Sequence, residues 1–199
     1  MEFIAHRINA IKELKKVPKY YGVEVDLRDY GNRLILQHDP FKNGEDFEDY
    51  LKYYDHGTMI LNIKSERIEF RVLELIKKYK IKKYFFLDSS FPMIYQLSEQ
   101  GEKNIALRFS EFEGLDTIIN MKDRINWVWV DCFRTFPIAK NSYKTLTDIG
   151  LKLCLVSPEL QNRENEIKPY IEILQNSKFE MDAVCSKIYN YNSWSRLIP

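Results

Sequence analysis

Short apolar runs alternate along this chain with segments whose apolar residues recur at helical spacing. Runs rich in Val, Ile, Phe and Tyr are typical of buried strands, whereas apolar residues three or four positions apart indicate one face of a helix. Residues 67–79 show the helical pattern most clearly, with Ile68, Val72, Leu75 and Ile76 along one face. This alternation predicts an α/β fold.

Eight strands are predicted in this way, and a helical connection follows nearly all of them. The strands cover residues 2–6, 22–27, 58–64, 83–88, 104–109, 127–131, 151–156 and 181–186. The helices cover residues 9–21, 46–54, 67–79, 92–99, 115–121, 139–149 and 165–174. A further run at 33–39, after a turn-like segment at 29–32, is predicted as a hairpin-like extension after the second strand.

Eight βα units that close on themselves predict a compact (β/α)8 TIM barrel with short loops, formed by residues 1–199 as a single domain. An open, doubly wound sheet is the rival architecture, although such sheets usually have fewer strands in a chain of this length. The sequence contains neither a G-x-G-x-x-G fingerprint nor a G-x-x-x-x-G-K-[ST] phosphate loop.

The composition indicates which kinds of partner and which cellular compartment are expected. The 199 residues include 30 Lys+Arg and 29 Asp+Glu, a net charge of +1 that argues against a nucleic-acid partner or an anionic membrane surface. No run approaches the ~20 apolar residues of a spanning helix, so we expect no stable membrane insertion. The three cysteines form no C-x-x-C pair and suit buried thiols in a reducing compartment, which predicts a cytoplasmic location. No oligomeric state is predicted.

Polar side chains stand at or just beyond the C-terminal ends of the predicted strands. In a barrel these ends converge on one mouth, where active sites form. A charged group at one strand end is in contact with solvent and can lie there without any function. Polar groups at so many strand ends together favour a functional site instead. The residues concerned are His6, Glu24, Asp26, Asn62, Lys64, Asp88, Arg108, Asp131, Ser157, Glu159 and Lys187.

The spacing of Glu24 and Asp26 brings two carboxylates to one side of a strand. Like charges repel there unless a cation neutralises them. A hard divalent ion such as Mg²⁺ or Ca²⁺ binds carboxylate oxygens of this kind. Lys64 and Arg7 are the alternative neutralisers and would serve without any metal, and the spacing does not decide between the two.

Two of the three histidines, His6 and His38, follow the first strand and the hairpin-like extension. Both can overhang the same mouth, where they would provide a general base and a general acid that titrate near neutral pH. The alternative is a pair of ordinary hydrogen-bonded histidines. His56, in the loop-like Asp55-His56-Gly57, is predicted as a solvated surface residue.

Three short motifs stand in order within residues 3–64: Ala5-His6-Arg7, Gly22-Val23-Glu24-Val25-Asp26 and Gln37-His38-Asp39-Pro40. They resemble the glycerophosphodiester phosphodiesterase family, one of the PLC-like phosphodiesterase TIM barrels. They match a family pattern of H-R-G, E-x-D and H-D in that order. The third-strand pattern E-x-K corresponds here to Asn62-Ile63-Lys64.

The resemblance implies cleavage of a small phosphodiester, such as a glycerophosphodiester or a lipid headgroup, to an alcohol and a phosphomonoester. It implies that His6 and His38 are the catalytic acid–base pair. A divalent metal, Mg²⁺ or Ca²⁺, would be bound by Glu24, Asp26 and Asn62. Phosphate oxygens would be bound by Arg7 and Lys64, with Arg108 as further positive charge, and the remaining candidates for the pocket are Asp88, Asp131, Glu159 and Lys187.

Several positions depart from the family pattern. Asn62 stands in place of a metal-binding glutamate, Ile8 in place of the glycine of H-R-G, and Lys187 roughly where an acid often follows the eighth strand. The segment 41–58 is also short, whereas the family carries an insertion there. These departures keep open a non-catalytic barrel that binds a phosphorylated ligand. A third possibility is an unrelated α/β interaction protein, which predicts that His6 and His38 lie on different faces.

Overall fold

The structure is a computed structural model that describes residues 1–198 of the chain. Its strands are β1 (Glu2–Ala5), β2 (Gly22–Tyr30), β3 (Arg33–Leu36), β4 (Glu45–Asp46), β5 (Met59–Ile63), β6 (Tyr84–Leu87), β7 (Ala106–Phe109), β8 (Trp127–Val130), β9 (Lys152–Val156) and β10 (Ala183–Ser186). Its helices are α1 (Ile11–Leu14), α2 (Phe47–Leu51), α3 (Glu69–Lys78), α4 (Phe91–Glu99), α5 (Asp116–Asn120), α6 (Lys140–Asp148), α7 (Ile167–Ser177) and α8 (Tyr191–Trp194). The predicted α/β fold is confirmed.

The chain divides into two compact units. The first unit, Ile4–Gly101, contains a parallel ladder in which β1 pairs with β2, β2 with β5, and β5 with β6. All five residues of β5 are buried, as expected of a parallel strand that is covered on both faces. The helix α3 buries Val72, Leu73 and Ile76, which includes much of the apolar stripe predicted from the sequence.

The C-terminal half of β2 forms an antiparallel hairpin with β3. Leu27 pairs with Leu36 and Tyr30 with Arg33, and the tight turn between the strands contains Gly31 in the left-handed region at φ 60°. The short strand β4 continues this pairing on the other side of β3. The strand β3 ends at Leu36, so it is shorter than the run predicted over 33–39, and His38 and Asp39 lie beyond its end.

The second unit comprises Met1–Phe3 and the described chain from Glu102 onward. Its strands β7, β8, β9 and β10 pair in parallel in that order. Trp194 of α8 is fully buried, and its indole Nε1 donates a hydrogen bond to Ser157 Oγ at 3.0 Å. Cys132, Cys154 and Cys185 are free and buried, as the sequence predicts.

Three features of the sequence prediction need correction. The helix predicted over 9–21 is a single turn, Ile11–Leu14, because Pro18 disfavours helical backbone at the residue before it. Among the described residues there are ten strands: the eight predicted, β3 within the predicted hairpin-like extension, and the short β4, which the sequence analysis does not predict. His56 is half-buried, with its Nε2 3.1 Å from the carbonyl oxygen of Val17, because the loop folds back onto the end of the α1 segment. The prediction of a single domain over 1–199 stays a prediction.

None of the helices within residues 1–198 combines the length and the apolar character needed to cross a bilayer.

Gly44 packs against the backbone of β3, and this close approach generates a stability prediction. A Cβ atom added at Gly44 would lie 2.2 Å from the carbonyl oxygen of Leu36, which is far inside van der Waals contact. We expect Gly44→Ala to lower the free energy of unfolding by about 1–3 kcal/mol, the usual cost of overpacking. Urea denaturation measures the change.

Gly114→Ala is the matched control, because a Cβ atom there would meet no atom within 4 Å. We expect this variant to stay within about 0.5 kcal/mol of the parent. Equal stability of the two variants would contradict the packing described for Gly44.

Candidate functional site

Two carboxylates are buried side by side on β2. Glu24 and Asp26 are each 1% exposed, and their spacing directs both side chains to the same side of the strand. Asn62 of the neighbouring strand β5 pairs with Asp26 in the parallel ladder, so its side chain joins the same group. Two charges in this position require hydrogen-bond donors or cations around them.

Glu24 is held by two hydrogen-bond donors. Its Oε1 accepts from Asn62 Nδ2 at 2.7 Å, and its Oε2 accepts from the backbone N–H of Arg7 at 2.7 Å. The imidazole Nε2 of His6 lies 3.8 Å from Oε2. Burial, together with the negative charge of Asp26, nevertheless raises the pKa of Glu24 from 4.5 to about 7. A substantial fraction of the Glu24 carboxyl groups is therefore protonated at neutral pH.

Asp26 is surrounded by an amide and two cations. The side chain of Asn9 donates from Nδ2 to Asp26 Oδ2 at 2.8 Å, and its Oδ1 accepts the backbone N–H of Asp26 at 2.8 Å. Arg7 Nε lies 3.5 Å from Oδ2, and Lys64 Nζ lies 3.8 Å from Oδ1. Arg7 and Lys64, the two cations that the sequence offers in place of a metal, therefore both lie beside the Asp26 carboxylate.

The backbone is strained at Arg7 and at Asp88, which bonds to Lys64. Arg7 has φ 57° and Asp88 has φ 59°, in the left-handed region that residues with a Cβ atom seldom adopt. The turn at Arg7 accompanies the bond from its N–H to Glu24, and Asp88 Oδ2 accepts a hydrogen bond from Lys64 Nζ at 3.2 Å. Strain of this kind is typical of functional sites.

His38 lies just beyond β3 and forms a chain of polar contacts with its neighbours. Its Nδ1 is 2.9 Å from Asp39 Oδ1, and Lys42 Nζ donates to Asp39 Oδ2 at 2.7 Å. These two hydrogen bonds lower the pKa of the Asp39 carboxyl to about 2, so it is ionised at neutral pH and orients the imidazole. The backbone N–H of the preceding residue, Gln37, donates to the carbonyl oxygen of Asp26 at 2.9 Å, which anchors this segment beside β2.

The buried oxygens of the cluster test whether it suits a metal ion. Asp26 Oδ1 and Asn62 Oδ1 are buried and accept no hydrogen bond from the described residues. Within residues 1–198, no group of three or more His, Cys, Asp or Glu side chains is arranged to hold a metal. Carboxylate and amide oxygens suit a hard ion such as Mg²⁺, which usually keeps several waters and needs only one or two carboxylates from the protein. The donor set fits an ion of this type.

The remaining predicted residues belong to networks of the second unit. Arg108 Nη1 donates to Asp131 Oδ2, and Arg108 Nε lies 3.7 Å from Glu113 Oε1. The buried Glu159 accepts hydrogen bonds from the hydroxyls of Ser157 and Ser186 and, at 3.0 Å, from the backbone N–H of Lys187. A phosphate would therefore have to compete with carboxylates for Arg108.

Three residues of the first unit contribute although the sequence interpretation did not include them. Asn9 fixes Asp26, Tyr50 donates its hydroxyl to the carbonyl oxygen of Ile8 at 2.8 Å, and Arg28 bonds the segments that carry His38 and Lys64. Arg28 carries a signal in the sequence, because it continues the alternation of Glu24 and Asp26 on one side of β2. Asn9 and Tyr50 carry none, since their contacts depend on the tertiary fold.

The raised pKa of Glu24 predicts a dependence of stability on pH. Between pH 4.5 and about 7 the folded protein holds a proton that the unfolded chain releases, so raising the pH favours unfolding. We expect the free energy of unfolding of the parent, relative to Glu24→Gln, to fall across this window by at most about 1.4 kcal/mol per pH unit. Urea denaturation in the presence of a chelator measures it, and a difference that does not change with pH would contradict the shift.

Comparison with solved structures identifies the fold. A glycerophosphoryl diester phosphodiesterase from Parabacteroides distasonis has a TM-score of 0.68 at 13% identity, over 100% of this chain and 87% of the other. A putative glycerophosphoryl diester phosphodiesterase from Agrobacterium tumefaciens has a TM-score of 0.66 at 10% identity, over 93% of this chain and 92% of the other. A glycerophosphodiester phosphodiesterase from Agrobacterium tumefaciens has a TM-score of 0.65 at 13% identity, over 94% and 97%.

No protein-family model matches the sequence, and no curated protein matches it. At 10–13% identity the likeness concerns the fold, over almost the whole length of each chain. This chain therefore has the α/β fold of the glycerophosphodiester phosphodiesterase structures.

Proposed function

We propose that this protein hydrolyses phosphodiesters, with a small glycerophosphodiester or a related headgroup as substrate. The observation that carries the proposal is the cluster of His6, Arg7, Glu24, Asp26 and Lys64 in a fold shared with glycerophosphodiester phosphodiesterases. The fold alone hosts many activities, so the argument depends on this cluster of residues.

The proposed reaction uses two imidazoles. One of the pair His6 and His38 takes the proton from the attacking water as a P–O bond forms. The other gives a proton to the alcohol oxygen as the second P–O bond breaks, which leaves a phosphomonoester and an alcohol. The contact between His6 and Glu24 and that between His38 and Asp39 support this assignment, because each places a carboxyl group beside the ring.

Arg7 and Lys64 are the proposed phosphate ligands. Their side chains are 41% and 18% exposed, so both are accessible to a ligand while remaining close to Asp26. A phosphodiester that entered here would provide both cations with oxygen acceptors of negative charge. Charge that develops on the phosphoryl oxygens in the transition state would be offset by the same two groups.

A divalent ion, Mg²⁺ or Ca²⁺, is part of the proposal, with Glu24, Asp26 and Asn62 as its ligands. When bound, the ion would supply positive charge to phosphate oxygens. Asp26 Oδ1 and Asn62 Oδ1, which accept no hydrogen bond from the described residues, support this assignment. Asn62 contributes a neutral oxygen in place of a carboxylate, so we expect weak binding.

Thermal unfolding tests the metal proposal without any measurement of activity. Because ligands that bind only the folded state stabilise it, we expect millimolar Mg²⁺ or Ca²⁺ to raise the Tm of the parent. Asp26→Asn removes the central carboxylate and is expected to abolish the increase. An unchanged Tm in the parent, or an equal increase in the variant, would contradict the metal site.

The complete (β/α)8 barrel, the cytoplasmic location and the absence of a nucleic-acid partner belong to the same proposal. The likeness to the Parabacteroides distasonis structure over 100% of this chain supports a full barrel. The near-neutral charge of the chain supports a small-molecule substrate over nucleic acid.

A second candidate function is binding of a phosphorylated ligand without turnover. Two observations favour it. Asn62 donates its amide N–H to Glu24, where the family pattern has a metal-binding glutamate. Ile8 is buried at 7% exposure, where the pattern has glycine.

Enzyme assays separate the two functions. We expect the parent to hydrolyse bis(p-nitrophenyl) phosphate or glycerophosphodiesters with Mg²⁺, Mn²⁺ or Ca²⁺. The double variant His6→Ala/His38→Ala should lose at least about 10²-fold in kcat, the usual contribution of acid–base catalysis. His56→Gln is the matched control, because His56 bonds to Val17 outside the cluster, and it should retain the parental rate.

A parent that turns over no faster than the double variant with any of these metals would contradict catalysis. Calorimetric binding of phosphodiesters by such a protein would establish the second candidate function.

A further inference from the structure

Arg28 lies on the same strand as the two buried carboxylates. It is two positions beyond Asp26 and four beyond Glu24, so the alternation of β2 places it on their side of the strand. Its half-buried guanidinium donates from Nε to the carbonyl oxygen of His38 at 3.0 Å. It also donates from Nη1 to the carbonyl oxygen of Lys64 at 2.9 Å.

These two carbonyl groups belong to residues that have left the sheet. The strand β3 ends at Leu36 and β5 ends at Ile63, so His38 and Lys64 lie beyond the paired residues of both ladders. The backbone N–H of Lys64 still donates to the carbonyl oxygen of Leu27 at 2.9 Å. The hydrogen bonds of Arg28 join these two segments directly to each other.

The hairpin does not need this interaction in order to form. Four residue pairs, from Leu27 with Leu36 to Tyr30 with Arg33, already align β2 and β3. Five further pairs align β2 and β5. The guanidinium therefore adds a constraint where the ladders end, at the two residues that carry proposed chemistry.

We propose that Arg28 is a positioning residue that fixes the His38 segment and the Lys64 segment relative to each other. This inference rests on the proposed function, in which His38 transfers a proton and Lys64 binds the phosphate. A guanidinium suits the task because it is planar and rigid, with donors that point in fixed directions to two acceptors. A lysine at position 28 could satisfy one carbonyl group but would not hold the pair at a set separation.

The first arm of the experiment measures turnover of the full chain. We expect Arg28→Gln to lower kcat about 10–100-fold, since misplacing a reacting group by about 1 Å has effects of this size. Arg28→Lys should recover only part of the loss. Arg71→Gln is the matched control, because Arg71 Nη2 donates to the carbonyl oxygen of Asn32 at 2.8 Å in the turn of the same hairpin, away from the site.

The second arm does not depend on activity. The chain has three histidines, so NMR of imidazole nitrogens can follow each ring separately. We expect Arg28→Gln to change the resonances of His38 while those of His56 stay constant. Amide hydrogen exchange should become faster at His38–Asp39 and Lys64–Ser65 in the same variant, and Arg71→Gln should leave both measurements at parental values.

The two arms distinguish the failure of each idea. If the parent has no turnover, the proposed function is wrong, and the NMR and exchange data still decide whether Arg28 fixes the two segments. Parental His38 resonances and exchange rates in folded Arg28→Gln or Arg28→Lys would overturn the positioning role. So would parental kcat in Arg28→Gln when the enzyme is active.

Discussion

The burial of two neighbouring carboxylates on one strand is the constraint on which the site depends. Glu24 and Asp26 are almost fully buried, and two negative charges in that position are unstable without compensation. The compensation comes from several elements: the strained turn at Arg7, the amides of Asn9 and Asn62, and the ammonium of Lys64. A proton held by Glu24 completes it, which is why the pKa of that carboxyl rises. Buried clusters that serve folding alone seldom contain so many polar and charged side chains. The cluster around Glu24 and Asp26 therefore favours a role in binding or catalysis.

Much of this cluster could be predicted from the sequence because its members are fixed by local rules. Alternation along a strand places Glu24 and Asp26 together, and the parallel ladder brings Asn62 to the same place. Asn9 could not be predicted in this way, since its two bonds to Asp26 depend on how the chain turns after β1. The same holds for Arg108, whose ion pair with Asp131 follows from the register of β7 and β8. The helical spacing of 9–21 predicts a longer helix than the one-turn α1, because apolar spacing does not include the effect of Pro18 on the backbone before it.

The departures from the family pattern have definite physical consequences in this structure. Asn62 replaces a charge with an amide that donates to Glu24, so the acidic pair is stabilised by hydrogen bonding within the protein. Ile8 fills a buried position, and its carbonyl oxygen accepts the hydroxyl of Tyr50. The positive φ falls on Arg7, the residue before it, so the turn forms without glycine. These features stabilise the acidic pair within the protein and leave His6, Arg7 and Lys64 beside it.

The central claim is that His6 and His38 serve one phosphate-binding site beside the acidic pair. NMR titration of the imidazole nitrogens with glycerol 3-phosphate tests it most directly, because the chain has only three histidines. The account predicts that the resonances of His6 and His38 shift together with one binding curve, while those of His56 stay constant. A shift confined to one of the two rings, or resonances that do not move at millimolar ligand, would contradict the shared site.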